Sequence, residues 1–108
     1  MVGTGLEDLE SRFDEAMMNI YRRALSECHY NATRFLRMFL EHRGCETARL
    51  LIHASGVSEG YFALWERKRL DLTVEALILA TEWLPLFSER ERDIARKRLA
   101  EYGYEIGV

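Results

Sequence analysis

Five side chains in the first half of the sequence could bind a soft metal ion: Cys28, His29, His42, Cys45 and His53. His42 and Cys45 lie close together across a predicted turn, and Cys28-His29 would supply the other half of a site. Zinc sites more often contain paired Cys-x-x-Cys or His-x-x-x-His ligands. We therefore predict no metal site, and we interpret the two cysteines as reduced, buried thiols.

Two carboxylate patterns could support hydrolytic chemistry. Glu66-Arg67-Lys68 has the Glu-x-Lys spacing with which some nucleases hold a metal and activate water, but side chains two residues apart on a helix point in different directions. Asp71 and Glu75 flank Thr73, an arrangement expected where a helix begins. The sequence contains no glycine-rich phosphate loop and no nucleophile elbow. It therefore predicts a protein that is not an enzyme and needs no cofactor.

The cationic side chains remain as candidates for binding phosphate or carboxylate groups. Thirteen of the 15 cations are arginine, which can contact such groups through two parallel hydrogen bonds. Residues 20–50 contain six arginines against three glutamates, although the whole chain has a formal net charge of −3. That net charge argues against nonspecific coating of nucleic acid. The arginines indicate either a local binding face or ordinary surface ion pairs.

Length and composition indicate a single domain over residues 1–108. The chain is 48% hydrophobic and 31% charged, which is typical of a globular protein that closes one core. It has one proline and no run that could serve as a linker. No segment approaches the roughly 18 apolar residues of a membrane helix, and the N-terminus lacks the basic and apolar parts of a signal peptide. We expect a cytoplasmic protein without a membrane partner.

Apolar spacing predicts an all-α bundle of about six helices with a long first helix over residues 6–28. The apolar stripe of this helix is broad enough to pack on several neighbours or on a second copy. The other predicted helices cover residues 31–42, 46–55, 58–66, 73–84 and 88–101. Their predicted N-caps are Asn31, Ser58, Thr73 and Ser88. The predicted buried side of the second helix consists of Phe35, Leu36, Met38, Phe39 and Leu40, and Gly44 is expected to be left-handed at its end.

Residues 34–80 resemble the five-helix DNA-binding domain of phage repressors and Cro proteins. Gly56-Val57-Ser58 resembles the turn of a helix-turn-helix, where a left-handed glycine precedes a serine cap. Residues 66–69 resemble the charged exit of a recognition helix, and residues 73–77 resemble the start of the next helix. The resemblance implies that Glu59, Gly60, Ala63 and Arg67 face DNA, whereas Phe62 and Trp65 belong to the core.

The whole chain also resembles a family of small, functionally uncharacterised bacterial all-helical domains. The residues that carry this resemblance are 30–36, 64–67, 70–77 and 102–104. It implies a helical fold and no particular activity.

Two classes of function remain open. In the first, a helix-turn-helix-like core over about residues 33–80 acts as a nucleic-acid-associated regulator or accessory. Its phosphate contacts would come from Arg34, Arg37, Arg43, Arg67, Lys68 and Arg69. In the second, the chain is a protein–protein adaptor or homodimer that uses the long first helix and exposed aromatic residues. Those aromatics are Tyr30, Tyr61, Trp83, Tyr102 and Tyr104. The alternative is that the aromatics fill the core of a small bundle, which we favour for Trp65 and Trp83 because small domains need such large rings. The continuous match over residues 56–77 favours the first class.

Overall fold

The computed structural model describes residues 5–105, which fold into α-helices connected by turns and two 3₁₀ segments. The α-helices are α1 (Gly5–Cys28), α2 (Thr33–His53), α3 (Glu59–Glu66), α4 (Val74–Ile78) and α5 (Glu89–Glu101). The 3₁₀ segments cover Leu70–Leu72 and Thr81–Leu86. No strand occurs between residues 5 and 105. The interruption at Arg43 divides α2 into two helical parts. Counted in this way, the α-helices confirm the predicted all-α bundle of about six helices. The absence of a signal peptide was predicted mainly from residues 1–4, which lie outside the described residues.

The long helix α1 buries its apolar stripe in the core of its own chain. The buried residues of α1 are Leu9, Phe13, Met17, Ile20 and Ala24, at the steps of three and four that place side chains on one helix face. Phe13 lies at the centre, where Trp83 and Phe87 approach its ring edge-on at centroid distances of 5.2 and 5.1 Å. Leu6, at the predicted start of this helix, is exposed. The core therefore forms where α1 crosses α2 and the segment Thr81–Leu86.

Helix α2 changes direction at Arg43, whose φ of 65° and ψ of −178° lie outside the helical region. The predicted break is therefore present, but the residue with positive φ is Arg43 and not Gly44. Gly44 is needed for a different reason, because a Cβ atom there would lie 2.8 Å from Oδ1 of Asp14 and 3.1 Å from the Phe13 ring. The missing side chain lets α1 and α2 cross in contact.

The first half of α2 is less buried than predicted. All four buried residues of α2 come from Gly44 onward. Phe35, Met38 and Phe39 are only partly buried, and the side chain of Leu40 is 73% exposed. The prediction of a buried Leu40 is wrong, because five apolar residues within six positions extend around more than the single helix face that α1 covers.

Capping residues are confirmed at three of the four predicted helix starts. Ser58 accepts a hydrogen bond from the N–H of Tyr61, and Thr73 accepts one from Ala76. Ser88 and Glu91 form the predicted reciprocal capping box. Asn31 does not cap α2, whose N-cap is Ala32. Oδ1 of Asn31 instead accepts a hydrogen bond from the Tyr21 hydroxyl at 2.8 Å.

The predicted helix over residues 73–84 is shorter than expected. Helix α4 ends at Ile78, and a tighter 3₁₀ segment, Thr81–Leu86, contains Pro85. The backbone of Ala80 is extended between the two elements, with ψ of 137°. This change of path brings Trp83 into the core, where its side chain is 4% exposed. Burial of the large Trp83 ring there stabilises the fold more than a further turn of α4 would.

Candidate interaction surface

Helix α3, the predicted recognition helix, is rotated relative to the expectation from the repressor resemblance. Tyr61, Ala63 and Leu64 are buried, whereas Phe62 is 45% exposed and Trp65 is 39% exposed. The assignments of Phe62 and Trp65 to the core and of Ala63 to a DNA-facing surface are therefore wrong. Tyr61 fixes the rotation, because its ring is buried and its hydroxyl donates to the carbonyl oxygen of Arg98 at 2.9 Å.

Gly60 and Arg67, two further positions expected to face DNA, lie against Tyr30. A Cβ atom at Gly60 would lie 3.7 Å from the Tyr30 hydroxyl. The Arg67 guanidinium lies 5.1 Å from the centre of the Tyr30 ring and donates to the carbonyl oxygens of Cys28 and Ala63. Arg67 therefore joins the end of α1 to the end of α3. Gly56 is likewise not left-handed, since Gly103 is the only described glycine with positive φ.

Arg69 and Arg43 are held by carboxylates. Arg69 pairs with Glu27 at 2.8 Å and with Asp71 at 3.0 Å. Hydrogen bonds from Arg23 and Arg69 lower the pKa of Glu27 to about 2. Arg43 donates from Nε to Asp14 at 3.0 Å. Both guanidinium groups have acidic partners near the surface, so a phosphate would have to displace a carboxylate to bind them.

The other three predicted phosphate contacts face solvent. Arg34 lies 3.9 Å from Glu59, and both side chains are more than 70% exposed. Within residues 5–105, neither Arg37 nor Lys68 takes part in an ion pair, and both are exposed. Arg34 and Arg37 lie one turn apart on α2, while Lys68 follows α3. The six cations are thus divided between structural contacts and separate exposed positions.

An apolar cavity of about 180 Å³ opens between α1, α2 and α3. Its walls include Ile20, Tyr21, Ala24, Phe35, Met38 and Leu64. The rings of Tyr21 and Phe35 are parallel, with centroids 6.5 Å apart. Arg34 and Glu59 also line the cavity, and their exposed side chains place one charge of each sign beside it. Sequence reasoning missed this cavity, since its walls come from distant segments. Phe35 and Met38 line the cavity and are only partly buried for that reason.

The outward side of α3 combines aromatic and acidic side chains. The Phe62 and Trp65 rings have centroids 5.4 Å apart, and Tyr102 lies edge-on to Trp65 at the same distance. Trp65 Nε1 donates to the carbonyl oxygen of Tyr102 at 3.1 Å. Glu59 and Glu66 lie three residues before and four residues after Phe62, positions that share its helix face.

The aromatic residues proposed for an adaptor surface have different environments. Tyr61 is buried in the core, so the expectation that it is exposed is wrong. Trp83 is also buried, as expected from the alternative in which its large ring fills the core. Tyr30, Tyr102 and Tyr104 are partly buried. The two most exposed aromatics, Phe62 and Trp65, were instead assigned to the core by the repressor resemblance.

Two buried carboxylates, Glu75 and Glu91, have structural contacts. Arg98 donates to Glu75 at 3.1 Å and to the carbonyl oxygens of Leu51 and Ala54, which ties the end of α2 to α4 and α5. Burial raises the pKa of Glu75. Burial opposes ionisation of Glu91, but hydrogen bonds from the Ser88 N–H and from His53 lower its pKa overall.

Residues 5–105 contain no candidate metal site and no candidate membrane-spanning helix. No group of three or more histidine, cysteine, aspartate or glutamate side chains in that range is arranged to hold a metal ion. Cys28 and Cys45 are partly buried free thiols, and burial raises the pKa of Cys45. None of the described helices combines the length and apolar character that crossing a bilayer requires.

Comparison with protein-family models, curated proteins and solved structures gave no match for this chain.

Proposed function

We propose that this protein is a non-catalytic protein-binding module that holds one apolar side chain of a partner in the cavity between α1, α2 and α3. The observation that carries this proposal is a cavity of about 180 Å³ with mainly apolar walls. Concave apolar sites with a few polar groups at the edge are the usual form of a binding site.

The size of the cavity favours a side chain over a larger ligand. Pockets for drug-sized molecules occupy about 300–1,000 Å³, whereas an apolar cavity of about 150 Å³ accepts a single benzene ring. A leucine or phenylalanine side chain therefore matches the available space. The exposed charges of Arg34 and Glu59 suit the polar main chain and neighbouring side chains that accompany such an anchor.

The placement of the cations supports a protein partner more than nucleic acid. Arg43 and Arg69 are paired with carboxylates, and Arg67 is bound to backbone carbonyls and a tyrosine ring. The outward side of α3 presents Phe62 and Glu66, neither of which attracts phosphate. A nucleic-acid function would depend on the exposed cations Arg34, Arg37 and Lys68.

The test is a selection of random peptides against the wild-type protein, with counter-selection against the variant Ala32→Leu. Ala32 lines the cavity, so a larger side chain there reduces the space for an anchor. The matched control is Ala100→Leu, which makes the same change at an exposed position of α5. Thermal unfolding establishes that both variants are folded.

We expect selected peptides to share one leucine or aromatic residue. Burial of such a side chain contributes about 1.5–3 kcal/mol, so alanine at that position should weaken binding about 10- to 100-fold. Ala32→Leu should weaken the same peptides, and Ala100→Leu should not. Peptides that bind all three proteins equally, or no enriched peptides, would contradict the proposal. Salt-sensitive binding of a 20-base-pair DNA duplex that Ala32→Leu leaves unchanged would favour the nucleic-acid function instead.

A further inference from the structure

The exposed side of α3 forms a second surface, which we name the acidic–aromatic face: Glu59, Phe62, Trp65, Glu66 and Tyr102. Four of these residues lie on α3 at spacings of three and four, so their side chains share one side of the helix. The fifth follows α5 and packs its ring against Trp65. The cavity lies on the other side of α3, and Glu59 alone lines both.

The Trp65 and Tyr102 rings of this face are held in position, and ring surface of Trp65 and Phe62 is still accessible. Trp65 donates a hydrogen bond to the carbonyl oxygen of Tyr102, and Tyr102 also packs edge-on against the buried Tyr61. Despite these contacts, Trp65 remains 39% exposed and Phe62 remains 45% exposed. A binding partner could therefore contact the exposed ring surface. Because the Trp65 side chain is already ordered, less conformational entropy is lost on association.

The charge around these rings is mainly negative. Glu66 is exposed and has no ion pair among residues 5–105, and the only pair of Glu59 there is the long, solvent-exposed contact with Arg34. Glu101, next to Tyr102, is also exposed. Arg67, the cation next to Glu66 in sequence, lies over the Tyr30 ring and donates to the carbonyl oxygens of Cys28 and Ala63. Such a surface repels phosphate but complements a positive charge, and aromatic faces attract guanidinium and ammonium groups.

We infer that the acidic–aromatic face binds a positively charged segment of a partner protein, with an arginine or lysine side chain over the Phe62 and Trp65 rings and paired with Glu66. Tryptophan is the strongest aromatic partner for a cation, and arginine can stack on the ring while it donates to a carboxylate. This inference does not rest on the proposed use of the cavity.

The experiment measures binding of a blocked heptapeptide that alternates glycine and arginine, and of its lysine and glutamate counterparts. Tryptophan fluorescence reports the binding, because Trp83 is buried and Trp65 lies in the acidic–aromatic face. The test variants are Phe62→Ala and Glu66→Gln, both at exposed positions. Leu84→Ala and Glu82→Gln are the matched controls on the exposed side of the segment Thr81–Leu86.

We expect the arginine peptide to quench or shift the Trp65 emission, with an affinity that falls as salt is raised. Each test variant should weaken binding about 2- to 30-fold, while both control variants should match the wild type. The glutamate peptide should not bind. Ala32→Leu should leave binding of the arginine peptide unchanged, which separates this inference from the cavity proposal.

Three results would overturn this inference. If the arginine peptide does not bind at millimolar concentration, or binds the test variants as well as the wild type, the inference is wrong whatever the cavity does. Equal binding of the glutamate peptide would also overturn it, because the predicted attraction depends on the sign of the charge.

Discussion

The backbone N–H of Gly44 donates a hydrogen bond of 2.8 Å to Oδ1 of Asp14, and this contact marks where α2 crosses α1. A Cβ atom on Gly44 would lie at the same 2.8 Å from that oxygen and 3.3 Å from the Asp14 Cα atom. The Asp14 carboxylate would have to move, and because the Cα atom cannot retreat like the end of a flexible side chain, the two helices would have to shift slightly apart.

We therefore predict that Gly44→Ala lowers the free energy of unfolding by about 1–3 kcal/mol, as overpacking does elsewhere. Gly56→Ala is the control, since a Cβ there would meet nothing within 4 Å and its φ is not positive. Its stability should be unchanged or higher by up to about 1 kcal/mol. Urea denaturation measures both, and equal losses in the two variants would contradict the close-approach explanation.

A second prediction concerns the backbone of Arg43. With φ of 65° and ψ of −178°, the residue occupies a region that is almost confined to glycine and costs other residues about 1–3 kcal/mol. The Arg43 side chain is 65% exposed and that of its ion-pair partner Asp14 is 20% exposed, so solvent weakens the contribution of this pair. Arg43→Gly should therefore be at least about 1 kcal/mol more stable in urea than Arg43→Ala, which loses the pair and keeps the strain. A less stable glycine variant would show that the backbone at this break is not strained.

A third prediction compares substitution by glycine at the two lysines, Lys68 and Lys97, which should affect stability differently. Lys68 follows α3 with φ of 61°, where glycine has no Cβ penalty, so Lys68→Gly should be stabilising or neutral. Lys97 lies exposed within α5, and glycine there should cost about 1 kcal/mol. Thermal unfolding of the two variants gives the comparison. Destabilisation by Lys68→Gly comparable to that of Lys97→Gly would mean that Lys68 has a contact worth more than its conformational cost.

The sequence predicted the elements that depend on local chemistry. The stripe of α1 and the caps at Ser58, Thr73 and Ser88 were found because each depends on residues within a few positions. The rotation of α3 could not be found in this way. Residues 61–65 are five consecutive apolar side chains, and at 3.6 residues per turn they surround the helix completely. The choice of buried side depends on the contact between Tyr61 and Arg98, 37 residues later.

The roles of Arg43 and Arg69 depend in part on distant partners for the same reason. Arg43 meets Asp14 from 29 positions away, and Arg69 meets Glu27 from 42 positions away. Neither separation follows a helical period that a sequence pattern could reveal. The arginine count between residues 20 and 50 therefore indicated abundant cations without indicating which of them remain free.

A fourth prediction concerns pH. The carboxylate of Glu91 accepts the Ser88 N–H and contacts His53 at 2.8 Å, with Arg49 at 3.9 Å. Its pKa is lowered in the folded state, so its stabilising contribution is present above the unfolded value of 4.5 and lost as the pH falls through the folded value. As the pH falls below about 4.5 and through the folded pKa of Glu91, wild-type stability should therefore decline more steeply than that of Glu91→Gln.

The glutamine at position 91 retains a side-chain acceptor for the capping box, so it should cost only about 1 kcal/mol at neutral pH. Glu82→Gln, at an exposed position, should follow the wild-type profile. Parallel pH profiles for wild type and Glu91→Gln in urea denaturation would show that Glu91 does not carry this dependence.

The last prediction concerns the buried pair of Arg98 and Glu75, whose side chains are 11% and 4% exposed. Arg98→Met leaves the Glu75 carboxylate buried without its cation and leaves the carbonyl oxygens of Leu51 and Ala54 without a donor. Loss of one member of such a pair costs about 3–5 kcal/mol. The double variant Glu75→Leu/Arg98→Met removes the stranded charge and should regain part of that loss, so the two substitutions should not be additive. If the losses simply add in urea denaturation, Arg98 stabilises the fold through the α2 carbonyls alone, and the pairing with Glu75 contributes nothing.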